Sequence, residues 1–389
     1  NTDDLVLVGG VQYSQTYATS FHKDLVFVGG AELQYNDVTD EMPGYERWIH
    51  QQTTNIGPYA QVQYAPGAPL SIALGGRLDI LDLYGAYIYT SDAAQTPIDR
   101  TYVVFNPRIS VIGTFNEQMQ IRAGYAMGFR GPQAFDEDLH LSTLQGTARV
   151  IVLAPDLRPE RSHSLTVSLD HNDRSPASAT GFTLEGFATL LQAPFIVTLE
   201  KDEQQGAGYR AVKDNGDAAY VAGINLEGRY AVASKLEMLF GATIQTTGYA
   251  TAPVVAIGVR PGDSVETQIS TSTFLRTPSL YGNAVVSWQP FNGWTVDGNA
   301  IITGPMNVLN ERTLTITTSP WFAEIGLRIG WDVHDLFFEG LEGTLSLGVA
   351  NLFNAYQDDL ETGPQRDASY IYGPSRPRTI MLSLTIASL

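Results

Sequence analysis

The chain has 389 residues, a formal net charge of −18, 43% hydrophobic and 10% aromatic residues, and no Cys. It is too apolar and aromatic for a disordered chain and too acidic for a nucleic-acid binder, which needs a basic footprint. Without cysteine it has no disulfide framework, thiolate metal site or cysteine nucleophile.

No apolar run of about 18 residues occurs, so no helix is long enough to cross a membrane. A barrel strand needs only every second residue to be apolar and escapes that test. Period-two alternation is in fact the dominant pattern. Polar stretches at 37–54 and 85–101 read as long links. In 119–130, Met119, Ile121, Ala123, Tyr125, Met127 and Phe129 oppose Gln120, Arg122 and Arg130. A short link at 114–118 precedes this run and a long one at 130–160 follows it. After a short link at 172–179 and a long one at 200–218 comes 219–232. There Tyr220, Ala222, Ile224, Leu226, Tyr230 and Val232 oppose Asn225, Glu227 and Arg229. In 235–245, Leu236, Met238, Phe240, Ala242 and Ile244 form the apolar face. A long link at 247–272 and a short one at 288–294 lead to 294–303, where Val296, Ala300 and Ile302 oppose Asp297 and Asn299. After the long link 353–377, the closing run sets Ile380, Leu382, Leu384 and Ile386 against Ser383 and Thr385.

Runs of about ten residues suit a tilted strand crossing a bilayer. Tyr13, Tyr35, Tyr64, Tyr230, Trp288 and Trp294 near strand ends suit interfacial aromatic girdles. The fold class expected is therefore all-β, an antiparallel transmembrane β-barrel region over 1–389 with about 14 or 15 strands. Ile224, Leu226, Phe240, Ala242, Val296 and Leu384 should face lipid, and Asn225, Glu227, Asp297 and Asn299 the lumen. An open sheet of that size leaves two unpaired edges in lipid. Either the strand count is off or the N-terminal part of the barrel lies outside this sequence; an export signal is expected to have been removed.

Three segments carry a family resemblance: GYAMGFRGP at 124–132 followed by APDLRPE at 154–160, ANLFN at 350–354, and the ending 368–389 with GPSRPRT. TonB-dependent receptors have similar segments in this order, commonly GFRAP, NPNLKPE and NLFN. Gly131 stands here for the usual Ala and Ala154 for the usual first Asn, and the chain ends in Leu389 rather than Phe or Trp. DEMPGY at 40–45 and EDLH at 137–140 resemble the Bacteroidetes-type subset. The resemblance implies a barrel of about 22 strands around an N-terminal plug, of which this chain would be the C-terminal part. It implies TonB-dependent active import of a scarce metal chelate across the outer membrane, with cobalamin or a ferric siderophore ahead of haem. It implies no enzyme, and no G-x-S-x-G, P-loop or HExxH motif occurs. The implied partners are the TonB–ExbB–ExbD system acting through the plug, the chelate, outer-membrane lipid and a surface lipoprotein. A structural or adhesin subunit and a passive porin are the alternatives.

Candidate ligand-binding residues are Arg130, His140, Arg366, Tyr370, Tyr372 and Arg376. Arginine pairs with carboxylates and imidazole ligates haem iron; the competing reading for each is strand-end or loop packing. No resident cofactor is expected beyond a loop-bound Ca²⁺. Its candidates are Asp214 and Asp217, with further acidic groups at Asp136, Glu137, Asp138 and at Asp358, Asp359, Glu361.

Overall fold

A computed structural model describes residues 1–19, 23–43, 47–67, 69–89, 92–132, 151–202, 208–233, 235–333, 341–363, 366–367 and 369–388. The strands are, in order, β1 (Thr2–Thr19), β2 (Lys23–Met42), β3 (Arg47–Gly67), β4 (Leu70–Tyr89), β5 (Asp92–Thr114) and β6 (Met119–Arg130). There follow β7 (Ile151–Leu153), β8 (Glu160–Arg174), β9 (Ser178–Gln192), β10 (Phe195–Asp202), β11 (Gly208–Asn215), β12 (Ala218–Val232) and β13 (Leu236–Tyr249). Next are β14 (Val254–Val259), β15 (Glu266–Ser270), β16 (Leu280–Trp288), β17 (Trp294–Thr303), β18 (Asn307–Asn310) and β19 (Thr315–Thr318). The last are β20 (Phe322–Val333), β21 (Leu341–Ala350) and β22 (Thr379–Ser388).

Fifteen of these form one sheet in the order β1-β2-β3-β4-β5-β6-β8-β9-β12-β13-β16-β17-β20-β21-β22. Every neighbour pair in it is antiparallel, as a meander of hairpins requires. Among the described residues β1 and β22 are the two edges. The small strands form separate sheets of β10-β11-β7, β14-β15 and β18-β19, all inserted between strands of the large one.

The register fixes the two faces. Ile224 pairs with Ile244, Leu226 with Ala242, Trp288 with Leu236 and Val296, Trp294 with Trp331, and Leu345 with Trp331 and Leu384. These residues share one face with Phe240, and Ile224, Phe240 and Leu384 are 54%, 45% and 53% exposed, as lipid contact needs. Tyr13, Tyr35, Tyr64, Tyr230, Trp288 and Trp294 all occupy outward positions, and the Trp294 and Trp331 rings stack at 5.8 Å. The inward face is polar and internally paired. Asn225 donates to Glu185 at 3.1 Å and accepts from Thr243 at 2.8 Å. Asp297 takes Ser287 at 2.8 Å and Arg328 at 2.6 Å. Asp79 takes Arg77, Asn55 and Asn106 at 2.7, 3.0 and 2.9 Å. The expected division of faces is therefore the one observed.

Links alternate in kind. One end of the sheet carries 115–118, 175–177, 233–235 and 289–293; the other carries 131–159, 193–217, 250–279, 304–321 and 351–378. The reading of 37–54 and 85–101 as loops is corrected: among the described residues there, β2, β3, β4 and β5 continue as paired strands, with one register shift between Ile88 and Tyr89. Their outward row Leu33–Ile56–Ile80–Val103 is apolar, the next is Tyr35–Thr54–Asp82–Thr101, and the one beyond begins Asp37–Gln52. Asp37 there accepts from Tyr35 at 3.1 Å and Gln52 at 2.9 Å. The ladder outruns the apolar band because backbone pairing does not depend on which solvent the side chains meet. On the inward face of this extension Ile49, Leu81, Leu83 and Val104 are buried.

Candidate ligand-recognition site

The links at the long-loop end are built structures. The segment 131–159 and the β10–β11 hairpin meet through β7, which runs parallel to β11 with Ile151 opposite Ala211. Asn215 fastens them: its Nδ2 donates to the Arg158 and Ala193 carbonyls at 3.0 and 2.9 Å, and its Oδ1 accepts from the Arg158 amide at 2.8 Å. Leu157 is buried, and its carbonyl accepts from Tyr102 of β5 at 2.7 Å. Gly131 lies against Leu81: a Cβ there would come to 2.5 Å from Leu81 Cδ2, so the Ala of the similar segments would have to displace that methyl.

Further round the rim, hairpin β14–β15 packs on β18–β19 through Ala256, Leu309 and Leu314. Met306 and Val308 pack against Tyr370 and Tyr372 of the last loop. A polar seam closes the same contact. Arg312 grips Glu361 with Nε at 2.9 and 2.8 Å from its two oxygens and Nη2 at 2.7 Å from one. Asn310 adds 2.9 Å to Glu361, and the Asp367 amide adds 2.7 Å. These donors, Arg312 first, hold the Glu361 carboxyl at about 2, against an ordinary 4.5. Burial alone would raise Asp359, yet hydrogen bonds from Tyr372, Gln357 and Tyr370 outweigh it and hold that carboxyl below its ordinary value. Burial and the same Asp359 contact push the Tyr372 phenol up.

The sequence-derived candidates divide accordingly. Arg130 faces inward at the end of β6, 3.4 Å from Glu160 and 4.8 Å from the Phe195 ring centroid. Tyr370 is buried and bonds Thr317 and Asp359, both at 3.3 Å; Tyr372 donates to Asp359 at 2.6 Å. Both tyrosines hold the loop together. Arg366 is exposed and donates to the Gly363 carbonyl at 3.1 Å. The side chain of Arg376 is exposed while its carbonyl accepts from Asn351 at 2.9 Å. His140, with Asp136, Glu137 and Asp138, lies outside the described residues. Asp214 accepts from the Asn215 amide at 2.7 Å and Asp217 from Thr251. Among the described residues no three His, Asp or Glu side chains converge as a metal site would require.

Sequence reasoning missed Phe195 and Lys213. The Lys213 ammonium sits 4.8 Å from the Phe195 centroid, and Lys213 is 2% exposed. A lone Lys in KDNGD carries no sign of burial; its place in β11 between β10 and β7 creates it.

A family model described as TonB dependent receptor-like, beta-barrel matches residues 2–352. The chain belongs to the TonB-dependent receptor family. Solved structures share the receptor barrel. The ferric-catecholate import receptor Fiu from K12 E. coli is 15% identical with a TM-score of 0.68, over 98% of this chain and 54% of that one. The siderophore receptor PiuA from Acinetobacter baumannii is 12% identical with a TM-score of 0.69, over 98% and 56%. The hemophore receptor HasR of Serratia marcescens, solved with its hemophore HasA and heme, is 15% identical with a TM-score of 0.68, over 98% and 59%. This receptor barrel thus spans little more than half the length of the structures it resembles. No curated protein matches it.

Proposed function

We propose that this chain is the barrel part of an outer-membrane receptor that imports a scarce metal chelate, with a ferric siderophore as its substrate class. The observation that carries the reading is the family match over residues 2–352. The description of PiuA as a siderophore receptor and that of Fiu as a ferric-catecholate import receptor support this class, and that of HasR keeps haem as a competitor. In this reading the long-loop end is extracellular, and the packed hairpins form a recognition surface. Arg366 and Arg376 offer exposed guanidinium groups there to an anionic chelate. A wide barrel leaks unless it is filled, so uptake requires a plug moved by TonB–ExbB–ExbD. The covalent chemistry of the cargo is left unchanged. A surface lipoprotein partner and a loop Ca²⁺ belong to the same proposal.

The test is uptake of labelled ferric siderophores, haem and cobalamin by cells with and without the intact gene, with and without an uncoupler. Saturable ferric-siderophore uptake that disappears with the gene or the proton-motive force is the expected result. Saturable uptake of cobalamin or haem alone would replace the substrate. Energy-independent passage of small solutes, with no saturable binding, would replace the receptor with a porin.

A further inference from the structure

Arg161 departs from the placement of the other arginines on the large sheet. Every other arginine with a described side chain in its strands, from Arg77 to Arg328, occupies an inward position. Arg161 is the second residue of β8, opposite Phe129 on β6 and Gln192 on β9, and Gln192 is opposite Ala218 on β12. That row is outward. The next row below it, on the same face, is Met127–His163–Leu190–Tyr220, and the one after is Tyr125–Leu165–Ala188–Ala222. Leu190 and Tyr220 are each 44% exposed and Leu165 is 53% exposed, so the wall turns apolar directly under the guanidinium. In those lower rows His163 has its Nδ1 2.8 Å from the Tyr125 hydroxyl, while its Nε2 is buried with no partner.

Arg158 stands beside this position on a backbone clamped by Asn215 on both sides of its peptide. It is not on a free loop. Arg158 and Arg161 are exposed, and among the described residues neither guanidinium has an ion-pair partner. With Leu190, Gln192 and Asp217 they border a depression of about 690 Å³. Asp217 is bonded by Thr251, and the two guanidinium groups leave the site with a net positive charge. An arginine on a lipid-facing wall costs about 2–4 kcal/mol at mid-bilayer and about 0–1 kcal/mol near the interface. Arg161 therefore marks the headgroup level, where a cation meets phosphate.

We propose that Arg158 and Arg161 form an outer-wall site for a phosphorylated membrane lipid. Its phosphate is held by the paired guanidiniums, and its acyl chains lie on Leu165, Leu190 and Tyr220. Arginine suits this because its fork donates two hydrogen bonds to one phosphate. The proposal rests on the outer-membrane reading above and adds a lipid to it.

The test uses the intact receptor in nanodiscs, wild type beside the double variant Arg158→Ala/Arg161→Ala. Lipids retained through delipidation are weighed by native mass spectrometry. Bisphosphorylated lipid A, its dephosphorylated form, phosphatidylethanolamine and inorganic phosphate are the probes. Wild type should retain the bisphosphorylated lipid, with the double variant about tenfold weaker or more and Arg161→Lys between them. Equal retention of phosphorylated and dephosphorylated lipid by wild type overturns the site, and needs no variant to fold. Equal retention by wild type and a folded double variant also overturns it. Inorganic phosphate binding as well as the lipid would show an anion site instead. Failure of the barrel to insert into nanodiscs would defeat the membrane reading; insertion without lipid preference would defeat only this proposal.

Discussion

Strands β1–β5 and the region from β6 onward raise the same end of the molecule by opposite means. In the first, strands of 18 to 23 residues carry the barrel ladder past the apolar band, and their inward side chains become a small core. In the second, strands such as β16, with 9 residues, and β17, with 10, stop near the band. The height is regained by hairpins leaning on one another through Ala256, Leu309, Val308 and Tyr370. A ladder is held by backbone bonds and tolerates almost any polar outward side chain. Leaning hairpins depend on a few side chains, so their shape is open to change by sequence. The second region is the better place for recognition to vary, and the first is the better place for a fixed wall.

The largest effect should come from the fixed wall. Leu83 is 2% exposed, and Leu83→Ala should cost about 2–5 kcal/mol. Limited proteolysis should then cut the β4–β5 extension while the apolar band stays protected. An uncut extension would show that backbone pairing alone holds it. Next in size is the division of faces shared by both regions. Ile224→Arg should lose about 2–4 kcal/mol in lipid, and its neighbour Asn225→Arg much less, in urea titrations of the protein folded into bilayers. Equal losses would remove the distinction between wall and lumen.

The leaning hairpins should yield to smaller changes. Val308 is fully buried, and Val308→Ala should cost about 1–3 kcal/mol. Trypsin should then cut at Arg312 and Arg366 sooner, with barrel unfolding unchanged; a barrel destabilised to the same extent would mean that loops and wall fold as one unit. The smallest effect is the seam. Glu361→Gln should lose about 1–3 kcal/mol of loop stability, as hydrogen bonds to charged groups do. Its carboxyl is depressed from 4.5 to about 2. The stabilisation is therefore complete above pH 4.5 and vanishes as pH falls through about 2. Hydrogen exchange at 310–313 and 367–370 should quicken over that interval in wild type and show no such step in the variant.

The strand count, the two faces and the alternation of link size were legible because each depends on side-chain chemistry repeating every second residue. The extension was not. Around Gln51, Gln52, Thr53 and Thr54 both faces are polar, so the period vanishes while the ladder continues. The inserted hairpins were also illegible, since β18 and β19 have four residues each, too few to show a period. Of the candidate residues, Tyr370 and Tyr372 looked the same in sequence whether they served a ligand or the loop. Only the positions of Asp359, across the same link, and of Val308, on another, decide it.

The parallel pairing of β7 with β11 also bears on how fast this rim can assemble. Ile151 and Ala211 are distant in sequence, and a contact of that order is ordinarily slow to close. Here the β8–β9 hairpin, itself a local turn at 175–177, brings Arg161 opposite Gln192 and so places the two flanking segments side by side. What remains to close is only the short chain on either side of that hairpin, and the entropy of closing a loop grows slowly with its length. The mini-sheet therefore inherits the kinetics of a hairpin. It should appear in pulse-labelling as soon as β8 and β9 zip, ahead of any strand pairing that waits for the rest of the barrel.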